Sequence, residues 1–509
     1  MIATRFSVFF AHMVFPRMAD LPALHPSAAT PREPWWKQVF GLLALFAVVY
    51  GARLWLVDVY GSPVPFWDQW DAEGAALFKP FLLGNLHWSS FLQHHAEHRI
   101  VLTRLLAFGL FLINGMWDPR LEMVFNATIA AGTATIIAYL FLREMGEAGW
   151  RPVAAAVAVL WTLPYGYEDT TCGFQSQVYL LVLLSFLALW GLAWGRNYST
   201  RWWMGAASVA LVCLTMASGL LAGLAVAATR GVAIILDRKK WRTHLPTLLV
   251  SLVCSGIALL FTTHVPQHEK LHAQGPLYFL LSLFKNMSWP ACRIPMAFLL
   301  FQVPLFASAR SLVQEQGRRP ARWFLLSLAI WAAMQAGALA YGRGGHGIMP
   351  ASRYQDILVI GFLASFVALR LEWPRLNRWI CYGWVLFALI GLVQGVSHDI
   401  RKSLPQQQQH AAEQLRRCRT YIESRDPAIL HNAPDRLDIP YPDADKLGRY
   451  LDDPQLQSIL LFVPGQEDKA GWPAQIANGL LKGSRIIFVL GILGLFATLL
   501  PRPHRKAES

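Results

Sequence analysis

The chain carries little charge for its length. Only 15% of its 509 residues are Asp, Glu, Lys or Arg, whereas 55% are hydrophobic. A soluble domain has about 25% charged residues, so the composition excludes an ordinary soluble protein. Long apolar runs recur from end to end. They predict an all-α polytopic membrane protein, since a helix satisfies its own backbone hydrogen bonds inside a bilayer.

Signatures of redox proteins, metal proteins and pumps are missing as well. The six cysteines show no CxxC pair and no metal-ligand spacing. The sequence has no internal repeat, no P-loop and no dinucleotide fingerprint, which argues against an ATP-driven pump. The residues before Pro34 offer no clear signal-peptide cleavage site. We therefore expect residues 1–36 to form a cytoplasmic N-terminal segment.

The apolar runs predict about twelve transmembrane helices. Each is close to the ~20 residues that a span requires, or somewhat shorter. The predicted spans are 37–57, 121–141, 152–163, 178–194, 203–218, 220–236, 245–261, 294–309, 323–341, 357–371, 379–396 and 486–500.

Basic residues between these spans predict their orientation. The formal net charge is +14, and most of the Lys and Arg residues lie in connectors that share one face. Cytoplasmic loops are rich in Lys and Arg, so this face and both termini are predicted to be cytoplasmic. The assignment requires segments 100–117 and 279–289 to lie at the outer interface without spanning. The basic residues are Arg143, Arg151, Arg196, Arg201, Arg238, Lys239, Lys240, Arg242, Arg310, Arg318, Arg319, Arg322, Arg370, Arg375, Arg378, Arg502, Arg505 and Lys506.

One long polar tract, 398–483, interrupts the membrane pattern near the end of the chain. Its length of about 80 residues suffices for a small domain. The predicted organisation is therefore a transmembrane module over 37–397 with an outer loop at 58–120, an extracytoplasmic domain over 398–483, and a last span with a basic tail over 484–509.

Three carboxylates, Asp68, Asp71 and Glu73, follow the first span among tryptophans. Acids in a loop at the membrane face can reach a water-filled cleft. One of them could remove the proton from an attacking hydroxyl. The three, with His95, could also hold a divalent metal. The alternative is an interfacial turn whose acids are solvated.

Histidines, an acid and an arginine then follow one another at the membrane edge. Glu97, His98 and Arg99 belong to the run His94-His95-Ala96-Glu97-His98-Arg99. Guanidinium groups suit phosphate, and imidazoles bind metals or donate protons. The run is not HExxH, so the zinc-protease motif is absent. We expect a phosphate or metal site, and the alternative is a patch that faces lipid headgroups.

Two further outer loops carry polar residues. Glu168 and Gln175 lie where one loop enters a helix and could grip sugar hydroxyls, or they could serve helix capping. Arg343, Arg353 and Tyr354 lie in a glycine-rich loop on the predicted outer side, against the usual charge bias. Anionic phosphate or pyrophosphate is their expected partner. Alternatively, these arginines pair with headgroups or with Asp356.

This layout resembles the GT-C superfamily of integral membrane glycosyltransferases, which includes lipid A aminoarabinose transferases and protein O-mannosyltransferases. The shared features are an acidic first outer loop, interfacial helices, about ten further spans and a final extracytoplasmic segment. The resemblance implies an inverting displacement in which Asp68 or Asp71 is the base and a polyprenyl-phosphate-type carrier donates the sugar. It further implies a lipid, glycan or protein acceptor at the outer face of the inner membrane, and for some members a divalent metal such as Mg or Mn. No nucleic acid partner is expected.

Three rival hypotheses stay open. A transporter or flippase for lipid-linked sugars would use the same arginines without chemistry, although such proteins often show two symmetric halves. An O-antigen-type polymerase or ligase would also carry a large polar loop between late spans. A non-catalytic assembly protein would use the tract 398–483 to bind a partner. For an enzyme, we expect Asp68, Asp71 and Arg343 to line one cavity that this tract covers.

Overall fold

The computed structural model describes residues 34–317 and 319–499. In these residues the secondary structure is helical, with isolated β-bridges in place of strands. This confirms the predicted all-α class. The predictions for residues 1–33, for Arg318 and for the basic tail at 500–509 lie outside the described residues.

The helices are named here in chain order. The first half contains α1 (Trp35–Tyr60), α2 (Lys79–Leu82), α3 (Trp88–Leu92), α4 (Val101–Asn114), α5 (Pro119–Met145), α6 (Glu147–Thr162), α7 (Tyr167–Thr170), α8 (Ser176–Ala193), α9 (Thr200–Val212), α10 (Leu220–Leu236) and α11 (Trp241–Leu260). The second half contains α12 (Pro276–Met287), α13 (Ala297–Gln314), α14 (Pro320–Arg343), α15 (Gln355–Glu372), α16 (Arg378–His398), α17 (Leu404–Ser424), α18 (Ala428–His431), α19 (Ala444–Asp452), α20 (Pro454–Gln457), α21 (Trp472–Lys482) and α22 (Ser484–Leu499). Two π-helical segments, Trp70–Phe78 and Asp399–Ser403, precede α2 and α17.

Nine helices of the described residues are long and apolar enough to cross a membrane. They are α1, α5, α8, α10, α11, α13, α14, α15 and α16. The pair α21 and α22, bent by 59°, makes a tenth if it is one span. The protein is thus a polytopic membrane protein.

Besides α22 of the bent pair, two of the twelve predicted spans are short helices in the structure. Span 152–163 corresponds to α6, which has 16 residues, and span 203–218 to α9, which has 13. At 1.5 Å per residue these helices are about 24 and 20 Å long, less than the ~30 Å hydrocarbon core. After α9 the chain turns before α10 begins, whereas the sequence alone shows an almost unbroken apolar run. The predicted interfacial segment 100–117 is α4, with 14 residues.

Glycines bring the first and last helices into close contact. A Cβ at Gly51 would clash with the backbone nitrogen of Phe488, and one at Gly491 would lie 2.5 Å from that of Val48. Small residues let helix backbones approach in membranes, where packing has to replace the hydrophobic effect. Helix α22 is thereby held beside α1, and α21 and the tract before it are held beside the first outer loop.

The first outer loop and the C-terminal tract share one hydrophobic core. Helix α16 continues through the π-helical segment into α17, so the tract begins as a rigid extension of the bundle. Buried residues from both parts of the chain meet in this core. From the loop they include Trp70, Phe78, Phe91, Phe111 and Trp117, and from the tract Cys418, Leu447, Leu451, Leu456 and Leu460. The tract therefore covers the loop that carries the predicted acids.

Candidate functional site

The loop around Asp68 is fixed by its own side chains. Gln69 accepts a hydrogen bond from the Phe66 N–H at 3.1 Å, and the Trp70 indole donates to the Pro65 carbonyl at 2.8 Å. These bonds close the turn before the π-helical segment. Asp68 stands on the turn with its side chain 57% exposed, and its Oδ1 lies 3.4 Å from Nε2 of His95. Its carboxylate is therefore open to an incoming ligand.

The Asp71 carboxylate is occupied by the C-terminal tract. Lys446 donates to its Oδ1 at 2.7 Å and Tyr441 to its Oδ2 at 2.7 Å, and Tyr450 donates to Oδ1 as well. Burial works against ionisation, but the bonds from Lys446 and the two tyrosines hold the pKa of Asp71 below its ordinary value. A carboxylate with its lone pairs engaged and a lowered pKa is a weak proton acceptor.

Glu73 is buried inside the protein, whereas Asp68 is exposed. It is buried with Glu122, and the amide of Gln69 donates to both carboxyl groups, at 3.1 and 2.9 Å. Burial raises the pKa of Glu73 to about 8. Among residues 34–317 and 319–499, no group of three or more His, Cys, Asp or Glu is placed to hold a metal. The predicted set of Asp68, Asp71, Glu73 and His95 therefore does not fit a metal ion in this arrangement.

His95 and His98 form a tight turn beside Asp68. They exchange two backbone hydrogen bonds of 2.9 Å, with Ala96 between them at φ 48°. Nδ1 of His98 accepts the backbone N–H of Ala217 at 3.1 Å. Burial lowers the pKa of His98 to about 4, so the ring is neutral at pH 7. Its proton is then on Nε2, the ring nitrogen that can donate to an anionic oxygen.

Arg343 reaches the same turn from the end of α14. Its NH2 lies 3.6 Å from Oε1 of Glu97. The same oxygen also accepts a hydrogen bond from Nδ1 of His268 at 2.5 Å. Asp68 and Arg343 are both close enough to His98 for their charges to act on its pKa. An acid and an arginine from distant parts of the sequence thus meet at one turn, Asp68 at His95 and Arg343 at Glu97.

Tyr354 connects Arg343 to Arg353. Its hydroxyl oxygen accepts a hydrogen bond from Nε of Arg343 at 3.2 Å, and the guanidinium of Arg353 lies 5.2 Å from its ring centroid. Glu168 accepts the backbone N–H of Arg353 at 3.0 Å and lies 3.8 Å from its guanidinium. Two arginines, a tyrosine and an acid from two predicted loops therefore form one polar surface.

Arg99 and Gln175 are the remaining predicted site residues. The guanidinium of Arg99 donates to the Leu92 carbonyl at 3.0 Å and lies 4.7 Å from the ring centroid of Phe261. It borders an apolar cavity of about 220 Å³ between α9 and α11, whose lining includes Glu97. Gln175 lies in the turn before α8, where Phe174 packs edge-on against His95 at 5.3 Å.

Asp356 pairs with a residue that the sequence analysis did not select. Arg53 of α1 donates to its Oδ1 at 2.8 Å, and also to the Trp161 carbonyl and the Thr170 hydroxyl. The alternative that Arg343 and Arg353 pair with Asp356 is therefore wrong. An arginine inside the first apolar run was a usable signal, because charges within spans are costly and need partners. Lys446, Tyr441 and Tyr450 gave no such signal, since the sequence does not show that they meet Asp71.

Comparisons with known proteins give one structural likeness. No family model matches the chain, and no curated protein matches it. The crystal structure of ArnT from Cupriavidus metallidurans in the apo state is similar over 91% of this chain and 75% of that chain, with 15% sequence identity and a TM-score of 0.41.

Proposed function

We propose that the chain is a membrane glycosyltransferase that moves a sugar from a polyprenyl-phosphate-type carrier to an acceptor at the outer face of the inner membrane. One observation carries the proposal: an exposed carboxylate and an arginine meet at one turn, where Asp68 lies 3.4 Å from His95 and Arg343 lies 3.6 Å from Glu97. An inverting transfer needs these elements, namely a base for the acceptor hydroxyl and cationic donors for the departing phosphate.

In this proposal Asp68 is the base. The acceptor oxygen attacks the anomeric carbon, and its proton passes to the Asp68 carboxylate. The bond between the anomeric carbon and the phosphate oxygen breaks, and its electron pair stays on the phosphate. Asp68 is preferred to Asp71 because its side chain is exposed, whereas Asp71 is held by Lys446 and two tyrosines.

Arg343 and Arg353 would bind the phosphate of the carrier. Their guanidinium groups are joined through Tyr354, so both can face one anion. The neutral ring of His98 can donate a hydrogen bond from its Nε2–H to a phosphate oxygen. Glu97 pairs with Arg343 when no phosphate is present, and a phosphate would replace this 3.6 Å contact.

Glu168 and Gln175 would contact hydroxyl groups of the sugar or the acceptor. Glu168 lies beside Arg353. A sugar held between the phosphate-binding arginines and the base needs hydrogen-bond partners on both sides. The dependence on Mg or Mn stays a prediction.

The test is a transfer assay in proteoliposomes. The purified full-length protein is reconstituted with a panel of polyprenyl phosphates that carry a labelled sugar, and an envelope extract supplies acceptors. We expect label in the acceptor and an equal amount of sugar-free polyprenyl phosphate. Label that crosses the bilayer while it stays on the carrier would contradict the proposal and favour the transporter hypothesis.

A further inference from the structure

The residue before Asp68 has an unusual backbone conformation. Trp67 has φ 48°, in the left-handed region that large side chains rarely adopt. Such conformations persist where the surroundings determine them, and they occur often at functional sites. Because the direction of Asp68 depends on the preceding peptide, whatever holds Trp67 also sets where the Asp68 carboxylate points.

The C-terminal tract holds Trp67 from two directions. The Trp67 N–H donates to the carbonyl of Pro440 at 2.7 Å. The guanidinium of Arg436 lies 4.8 Å from the centroid of the indole ring, and Phe66 stacks beside it at 5.5 Å. The tract thus fixes both the backbone and the ring of the residue that precedes Asp68.

The same tract holds the chain just after Asp68. Lys446, Tyr441 and Tyr450 donate to the Asp71 carboxylate, and the Tyr450 ring stacks on Trp70 at 5.8 Å with an interplanar angle of 9°. Burial and the Asp71 carboxylate raise the pKa of both tyrosines, so their hydroxyls stay protonated and keep donating.

Asp68 itself lies between these two attachments. Its side chain is exposed, and its Oδ1 lies 3.4 Å from Nε2 of His95 in the first loop. We propose that Lys446, Tyr450 and Arg436 of the C-terminal tract are positioning residues that hold Trp67 and Asp71 and thereby aim Asp68 at the His95–His98 turn. This inference rests on the proposed function for its catalytic meaning, and it states what the tract contributes to the reaction.

The chain offers a matched control for this proposal. Lys79 of α2 forms an ion pair with Asp453, so it joins the same loop and the same tract as the pair of Lys446 and Asp71. It lies beyond the π-helical segment and contacts neither Trp67 nor Asp71. Lys79→Met therefore removes an attachment between the two parts without releasing the residues around Asp68.

The experiment compares Lys446→Met, Tyr450→Phe and Lys79→Met in the transfer assay with the full-length protein. We expect the first two to lower kcat on the order of tenfold to a hundredfold with an unchanged KM for the donor, because a small misplacement of a catalytic group costs rate. Lys446→Arg should restore part of the rate. Lys79→Met should change kcat by no more than about twofold. Wild-type kcat in both Lys446→Met and Tyr450→Phe would overturn the proposal.

A second measurement separates this inference from the proposed function. A spin label is placed at Asp68→Cys, in a background in which Cys213 and Cys254, the cysteines that are not buried, are alanine. We expect Lys446→Met to increase the mobility of the label and Lys79→Met to leave it unchanged. If neither the wild type nor any variant transfers sugar, the proposed function fails. The mobility of the label at position 68 still tests whether the C-terminal tract positions that residue. Equal mobility in the two variants would overturn it.

Discussion

Arg53 and Asp356 form a buried ion pair between the first span and the start of α15. The guanidinium NH2 lies 2.8 Å from Oδ1, and the two side chains are only 1% and 2% exposed. Asp169 is also buried beside Asp356. Asp356 lies three residues after Arg353, near the start of α15. The ion pair therefore holds the part of the site that contains Arg353 beside α1.

Arg53→Met should destabilise the protein strongly. Removal of one partner of a buried ion pair typically costs about 3–5 kcal/mol, because the other charge stays buried without compensation. Thermal unfolding in detergent, followed by size-exclusion chromatography, measures the loss. Arg378→Met, at an exposed arginine of α16, is the control. The double variant Arg53→Met, Asp356→Leu should regain part of the stability. A single variant as stable as the control would contradict the structural role.

Arg343→Ala should weaken both donor binding and turnover. The phosphate is present before and during the reaction, so the arginine acts in both states. Loss of a hydrogen bond to a charged group corresponds to about tenfold to a hundredfold in affinity. Lys at this position should rescue only in part, because it keeps charge and loses the planar fork. Arg425→Ala, at an exposed arginine paired with Asp452, is the control for the assay with labelled carrier.

The contribution of Glu73 to stability should fall as pH rises from 5 to 9. Its pKa is about 8 in the folded protein against an ordinary value of 4.5. A raised folded pKa gives stability that is complete below the unfolded pKa and is lost as pH rises through the folded one. The groups that face Glu73 are Glu122, Gln69, Arg104 and Asp68.

Glu73→Gln should therefore flatten the dependence of unfolding temperature on pH. Glutamine keeps the shape and loses the ionisation. Glu423→Gln, at an exposed acid of α17, should leave the profile unchanged. An identical profile in Glu73→Gln and wild type would show that Glu73 is ionised in the folded protein.

The sequence was informative for residues whose charge is energetically costly near a membrane. Arg343, Arg353 and the acids of the first loop are costly near a membrane, and loop sidedness alone grouped them. The structure joins their loops through Glu97 and Arg343, and through Glu168 and Arg353. Their catalytic and binding roles stay predictions.

Two kinds of feature could not be predicted from the sequence. The first is span length, because α6 and α9 are apolar in sequence but end early where the chain turns. The second is pairing between distant residues. Asp68 and Asp71 look equivalent in sequence, and only the folded tract distinguishes them by placing Lys446 on Asp71. Glu73 also looked like a surface acid, but the π-helical segment turns it inward toward Glu122.

The most direct test of the central claim is Asp68→Asn in the transfer assay. Loss of a positioned base typically costs on the order of 10²–10⁴ in rate, so turnover should fall by that factor while the affinity for the carrier stays at the wild-type value. Asp445→Asn is the matched control, because Asp445 is also an exposed acid paired with a histidine, His431, at 2.9 Å. Wild-type turnover in Asp68→Asn would contradict the assignment of this loop as the active site.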